Sequence, residues 1–424
     1  PPWGIEYVVD PLGGLMAALV SVFAVAAAVY AGPFVQQLRP RDAGVFHAVY
    51  LLLTAGLLGI VVTGDLFNLY VFLEISSLAA YALLALGGGR SVVASFRYLL
   101  LGTAAGTLYL LGVGCLYAVT GTLNMADVTA RVTDHFGSPA VTMGIVLIAV
   151  GLAVKTALFP LHGWLPDVYT YAPAPVAGFI AGVMTKVSAY AMLRVLFFVL
   201  RLDGAAADVL RVLGWVAAAA ALAGSVMALA QTDVRRILAY SSVGQMGYII
   251  LGFAIGTPLA LTGALLHVLN HAVMKSCLFL SAGTVLYRTG ESHLRGYHGI
   301  ARRMPLTLAA FTVAAASIVG LPPTGGFFSK WYLLTAAFDA GRWPFAVVLV
   351  VSSLLSAVYM FRVIERAYLE TSPERLPTTP QAGEAPAGML APMIALAAAV
   401  MLLGVFTEPV VTNVIALALP PGGR

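Results

Sequence analysis

The run TMGIVLIAVGLAVKTALFPLHGWLPDVYTYA, residues 142–172, decides how the rest of the chain is read. It is apolar enough to cross a membrane but longer than the roughly 20 residues that a span needs. Its interior holds Lys155, followed by Phe159-Pro160, Gly163 and Pro166, which remove a backbone donor and interrupt a helix. A lysine at mid-bilayer costs about 2.5–3.5 kcal/mol on insertion scales, so a lysine kept there points to function. The run therefore predicts a broken membrane helix built around an ionisable group.

The other three lysines, Lys186, Lys275 and Lys330, also lie inside apolar stretches, whereas the loops take their positive charge from arginine. Lysine's reference pKa of about 10.4 falls readily on burial, while arginine in practice stays charged. A chain that keeps removable protons in the membrane and fixed charges outside is suited to moving protons. The composition agrees: 60% hydrophobic residues and 10% charged over 424 residues exclude a soluble globular protein. The net charge of +5 is not gathered into a basic surface with interleaved aromatics, so nucleic acid is not an expected partner. Cys115 and Cys277 sit in apolar runs without metal-ligand spacing and read as packing residues.

Apolar runs predict an all-α polytopic membrane protein with about twelve spans, near 11–32, 44–63, 65–87, 95–119, 142–172, 174–200, 206–230, 235–256, 259–288, 305–340, 343–370 and 388–414. The run 305–340 repeats the pattern of 142–172, with Gly320-Leu321-Pro322-Pro323, Gly325 and Gly326 as breakers and Lys330 after them. Two broken helices five spans apart are the arrangement of inverted repeats in transporters; two unrelated proline kinks are the plainer alternative. The loops around 33–43, 88–97, 231–236, 289–304 and 362–387 hold thirteen of the nineteen arginines, Arg288 at the edge of the fourth included. The positive-inside rule places those loops in the cytoplasm. The acidic and Pro-rich stretch 370–386 reads as a cytoplasmic connector. The opening PPWGIEYVVD has no methionine and no cleavable signal, and the reading expects further spans ahead of it.

Glu74 is the acidic residue in the middle of an uninterrupted apolar span, and it needs a cationic partner to stay ionised. Lys155, in the broken helix of the same half, is the candidate; a static ion pair that fixes packing is the alternative. Lys186, at the middle of the next span, reads as a second proton site, against a snorkelling surface lysine. His267, His271 and Lys275 recur every fourth residue and so share one helix face, a titratable stripe about 12 Å long. The same spacing suits a metal, but no carboxylate or cysteine shares the face, and no metal is expected. Lys330 closes the series beside the second break, where water is expected. His162 and Asp167, at and past the first break, read equally as solvent-facing ends or as hydrogen-bond clamps. Arg235 and Arg236 read as interfacial anchors.

The run Gly64–Arg97 with Glu74, VKTALFPLHGWLPDVYTYAPAPVAGFIAGVMTKVSAY, QTDVRRILAYSSVGQMGY, HVLNHAVMKSCLFLSAG and GLPPTGGFFSKWYLL together resemble the antiporter-like subunits shared by Mrp-type cation/proton antiporters, respiratory complex I and membrane-bound hydrogenases. The resemblance covers nearly the whole chain. It implies a fourteen-helix fold, of which this chain supplies the third to fourteenth. It also implies two inverted five-helix repeats, each with a broken helix. On that reading residues 1–43 are a first span and cytoplasmic loop, 44–205 the first repeat, 206–370 the second, and 371–424 a connector with the last span. Glu74 and Lys155 match the family's glutamate–lysine pair, Lys186 its bridging lysine, His267 and His271 the histidines of the central axis, and Lys330 the terminal lysine. Lys275 matches a frequent family position. Arg235-Arg236 departs from a commoner Lys-Arg pair.

The opening PPWGIEYVVDPLGGLM and the lysine at 330 resemble the D-type branch of the Mrp antiporter subunits. The leading expectation is therefore a non-enzymatic, cofactor-free, multi-pass subunit of a Na⁺/H⁺ antiporter in the cell membrane. It would carry protons along the Glu/Lys/His axis beside other membrane subunits. The alternative is a proton-pumping subunit of a complex I-like NADH:quinone oxidoreductase or a membrane-bound hydrogenase. An assembly scaffold with inactive channels is a third reading.

Overall fold

The computed structural model describes residues 4–202, 207–369 and 383–420, which are almost wholly helical. The helices are α1 Pro11–Val35, α2 Pro40–Val62, α3 Leu66–Ala85, α4 Gly89–Thr120, α5 Met125–Val132, α6 Pro139–Lys155, α7 Leu165–Tyr171 and α8 Ala174–Leu193. They continue with α9 Ala207–Leu229, α10 Val234–Ile255, α11 Pro258–Thr289, α12 Pro305–Val319, α13 Gly325–Asp339, α14 Trp343–Tyr368 and α15 Ala387–Val405. Among the described residues, ten helices are long and apolar enough to cross a membrane. The protein is a multi-pass membrane protein. Residues 370–382, most of the expected connector, lie outside the described residues.

Both long runs are interrupted where the breakers stand. The first splits into α6 and α7 around Phe159-Pro160, and the second into α12 and α13 around Gly320–Thr324. Helix boundaries elsewhere follow local chemistry. Proline fills the first turn of α1, α2, α6, α8, α11, α12 and α14, where a missing N–H costs nothing. Gly121, Gly256, Gly290 and Gly320 end α4, α10, α11 and α12 in the left-handed conformation. The short α5, between α4 and α6, was not among the expected elements, because eight residues with a polar face carry no span signal.

Three helices form the interior. The apolar windows of α8, α10 and α11 are 100%, 94% and 94% buried, against 33–56% for the other spans. Lys186, Gln245, His267, His271 and Lys275 all belong to these three helices, so the polar side chains stand where protein, not lipid, surrounds them.

Glycines let helices approach. A Cβ on Gly56 would sit 2.8 Å from the Ser76 amide nitrogen, and one on Gly224 would sit 2.4 Å from the Gly244 amide nitrogen. The α2–α3 junction is pinned by Asp65, which caps α3 through Asn68, and by a short bridge to Asn124. Asp233 caps α10 through Arg236 and bridges to His293 in the same manner. At the opposite end of α8 from its N-terminus, Arg194 donates two 2.6 Å bonds to Asp10, the cap of α1.

Burial pushes the Asp10 carboxyl up, but the Arg194 hydrogen bonds and charge and the Gly13 amide outweigh it and hold the group below its ordinary value. A lowered folded-state pKa contributes stability above the unfolded value of about 3.9, and that stability is lost as pH falls through the lowered value. Asp10→Asn is thus expected to flatten the acid side of a melting-temperature versus pH curve and to leave the alkaline side unchanged in shape.

The second break closes tightly. A Cβ on Gly326 would lie 1.9 Å from the Ser317 carbonyl oxygen. Gly326→Ala is expected to cost about 3 kcal/mol, because backbone must move to relieve the overlap. Gly163→Ala, with nothing within 4 Å of its Cβ, is the control. Thermal denaturation of the assembled complex reads the difference.

Candidate functional site

Lys155 is the last residue of α6, so its side chain leaves the helix where the first break begins. Its ammonium donates to Glu74 Oε1 at 3.1 Å and to Ser77 Oγ at 2.7 Å, both on α3. Lys155 is 4% exposed and Glu74 21%. The expected partner is therefore the observed one. Room for the carboxylate comes from α4, where a Cβ on Gly106 would lie 2.3 Å from Glu74 Oε1. The exposed backbone of the break is satisfied by protein: the Trp164 indole donates to the Val154 carbonyl at 2.7 Å.

Lys186 is fully buried in the middle of α8. Its ammonium donates to the Ala181 carbonyl of its own helix at 2.5 Å, and among the described residues it has no ion-pair partner. The snorkelling reading does not fit a side chain with no exposed surface.

His267, His271 and Lys275 do share one face of α11. Lys275 donates to the Leu238 carbonyl at 2.8 Å and to Ser241, both on α10. The rings of His267 and His271 lie 5.9 Å apart and 7° from parallel. Among the described residues His271 has no hydrogen-bond partner at either ring nitrogen.

His267 is held from both sides, with Nε2 3.0 Å from Gln245 Oε1 and Nδ1 2.9 Å from Ser329 Oγ. With the amide oxygen as acceptor, Nε2 carries the hydrogen and Nδ1 accepts from the Ser329 hydroxyl. Gln245 was missed in the sequence, where an amide in an apolar helix carries no charge to mark it. Gln245→Met removes the acceptor and keeps the bulk. Leaving a buried donor unmatched costs about 1–3 kcal/mol, so proton translocation is expected to slow about tenfold. The rate of ΔpH formation in sealed vesicles checks it.

Lys330, on α13, reaches back across the second break. Its ammonium donates to the Ile318 carbonyl at 2.5 Å, the Val319 carbonyl at 3.1 Å and Ser353 Oγ at 3.1 Å, and lies 5.1 Å from the Tyr248 ring centre. The cation caps the carbonyl end of α12, where the helix dipole favours positive charge. No carboxylate takes part.

The two secondary candidates separate. Asp167 is a clamp: it accepts from Arg97 at 2.8 Å and from Arg236 at 3.0 Å. It stands apart from the lysine–histidine row. His162 is buried in the break against Phe159 and Tyr240, with Nδ1 unpartnered. Arg235 is not an interfacial anchor. It is 5% exposed and donates to the carbonyls of Tyr169 and Ala172, capping the end of α7. Arg235 thus holds a helix end from the inside, that of the broken helix. No hydrogen bond joins Lys155 to Lys186 among the described residues.

The family model described as "NADH:quinone oxidoreductase/Mrp antiporter, TM" matches residues 63–356. An NADH-quinone oxidoreductase N subunit from Desulforudis audaxviator (strain MP104C) is 58% identical, over 99% of this chain and 86% of that protein. A Na⁺/H⁺ antiporter D subunit from Alkalihalophilus pseudofirmus is 33% identical, over 96% of this chain and 82% of that one. A chain of the Mrp complex from Dietzia sp. DQ12-45-1b superposes with a TM-score of 0.88 at 29% identity, over 99% of this chain and 85% of that chain. A chain of respiratory complex I from Thermus thermophilus superposes at 0.78 and 28% identity, over 96% and 87%.

Proposed function

The chain belongs to the NADH:quinone oxidoreductase/Mrp antiporter transmembrane family, and from that premise we propose that it is the proton-translocating membrane subunit of a redox-driven, quinone-reducing complex. The observation that carries the choice is the 58% identity to an oxidoreductase N subunit over 99% of the chain, against 33% to an antiporter D subunit. This reverses the order expected from the opening residues and Lys330. Shape does not divide the branches: the Dietzia Mrp complex superposes at a TM-score of 0.88, and a chain of the membrane-bound sulfane sulfur reductase, an archaeal respiratory membrane complex, at 0.89. Sequence identity separates sister branches of one fold better than shape does, because the branches share the shape.

The proton path in this reading runs through Glu74, Lys155, Lys186, His271, His267 and Lys330, with Lys275 beside it and His162 at the inner break. Loosening the Glu74–Lys155 contact makes the lysine's proton easier to lose. A charge arriving about 10 Å from the next lysine, at an effective dielectric of about 20, repels by roughly 1.7 kcal/mol, more than one pKa unit. Such a push passes along a row without any large movement. Electron transfer belongs to partner subunits, and this chain receives its drive through contact with them.

Ten span-length helices and the two broken ones support twelve crossings, with residues 44–205 and 206–370 as inverted repeats. Local features support the division. Adding 168 to the positions of Gly56, Asp65 and Ser76 lands on Gly224, Asp233 and Gly244, which make the matching contacts. The same shift carries Glu74 to Ser242 and Ser77 to Gln245. The halves are thus one scaffold with different chemistry: a carboxylate steadies the lysine of the first, and carbonyls and a hydroxyl steady that of the second.

The test uses the assembled complex in sealed vesicles. ΔpH is recorded first on a Na⁺ jump and then on adding the electron donor and quinone. A signal that requires the donor supports the proposal; one driven by Na⁺ alone returns the chain to the antiporter branch.

A further inference from the structure

On the arginine-rich face, a cavity of about 380 Å³ opens between α4, α7 and α10. Arg90 and Arg97 line it from α4, Arg236 from α10, and Asp167 and Tyr171 from α7. Three guanidinium groups face one carboxylate, a net charge of +2. Asp167 is already engaged by Arg97 and Arg236. Arg90 has no carboxylate partner among the described residues: it donates to the Tyr171 hydroxyl at 3.4 Å and lies 5.8 Å from that ring. It also stands in the first turn of α4, which holds no acidic residue, so the positive end of the helix dipole adds to the excess. Guanidinium groups match phosphate oxygens in pairs, and a concave site of uncompensated arginines at a membrane surface attracts that group.

Below the cavity, α4 turns an exposed apolar strip toward the membrane, formed by Val93, Phe96, Leu100 and Leu101. We propose that this cavity binds the phosphate of an anionic phospholipid headgroup, with an acyl chain laid along the exposed strip of α4. The strip is what favours a lipid over free phosphate, since a soluble anion gains nothing from apolar surface below its site. Bound phosphate competes with Asp167 for Arg97 and Arg236, and so bears on α7, the far half of the first broken helix.

Binding is read by native mass spectrometry of the delipidated complex titrated with phosphatidylglycerol, phosphatidylcholine or inorganic phosphate. Arg90→Gln/Arg97→Gln is expected to bind phosphatidylglycerol about thirtyfold more weakly, since each arginine near a membrane surface contributes about fivefold. Arg39→Gln/Arg41→Gln, two exposed arginines of the same face outside the cavity, should leave binding unchanged. Asp167→Asn should tighten it by raising the net charge to +3, a change that misfolding cannot imitate. Equal loss in both arginine pairs overturns the site, as does phosphatidylcholine binding as well as phosphatidylglycerol. Inorganic phosphate that binds at millimolar levels and displaces the lipid overturns the lipid as the ligand.

Discussion

Lys155→Arg is expected to leave the complex assembled and to lower proton translocation about a hundredfold. Arginine keeps the charge that Glu74 requires and can still donate to Glu74 and Ser77. It does not release a proton in this range of pH. A residue whose task is packing tolerates that change; a residue that must give up its proton does not. Lys155→Ala, by contrast, removes the partner of a largely buried carboxylate, a change that costs about 3–5 kcal/mol when the survivor stays charged. The stability of the complex is then expected to fall together with transport. Comparing the two variants, by melting temperature and by the rate of ΔpH formation, separates charge from proton exchange.

The second large effect is expected at Lys330. Its ammonium serves the carbonyls of Ile318 and Val319 at the open end of α12 and the hydroxyl of Ser353. Lys330→Ala leaves two partly buried acceptors without that donor, at up to about 1 kcal/mol each, so the complex should melt at a lower temperature and translocate at least tenfold more slowly. Lys330→Gln restores an N–H donor without an exchangeable charge. It should recover most of the melting temperature and little of the transport. Recovery of both would make Lys330 a helix cap and remove it from the proton path.

Much of this arrangement was legible in the sequence because lysines and breakers are conspicuous in apolar runs. The two broken helices were placed by their prolines and glycines, and the Glu74–Lys155 contact by the shortage of any other acid at mid-span. Spacing put His267, His271 and Lys275 on one face. What stayed hidden was made of uncharged or small residues. Ser77, Gln245, Ser329 and Ser353 steady the ionisable groups, yet each is an ordinary residue in an apolar helix. Gly102 and Gly106 were a readable signal, since the small-xxx-small spacing marks close helix approach. The groups they admit, the Tyr81 hydroxyl and the Glu74 carboxylate, were not readable.

Arg235 misled for a related reason. Next to Arg236 and near a helix start it looks interfacial, and only the position of α7 turns it inward to the carbonyls of Tyr169 and Ala172. The order of the two branches was drawn from less of the chain, the opening residues and Lys330. A single lysine weighs less than identity summed along the chain, which is 58% to an oxidoreductase N subunit and 33% to an antiporter D subunit.

The central claim is that Lys186 links the two halves by passing protons between the Glu74–Lys155 pair and the histidines of α11. Lys186 has no ion-pair partner to lose among the described residues, so Lys186→Met keeps the bulk of the side chain and removes the site of protonation together with its one hydrogen bond, to the Ala181 carbonyl. The measurement is the number of protons moved per electron pair by the assembled complex in sealed vesicles. The account predicts that the variant moves fewer protons per electron pair than wild type. An unchanged ratio, with assembly intact, would contradict it.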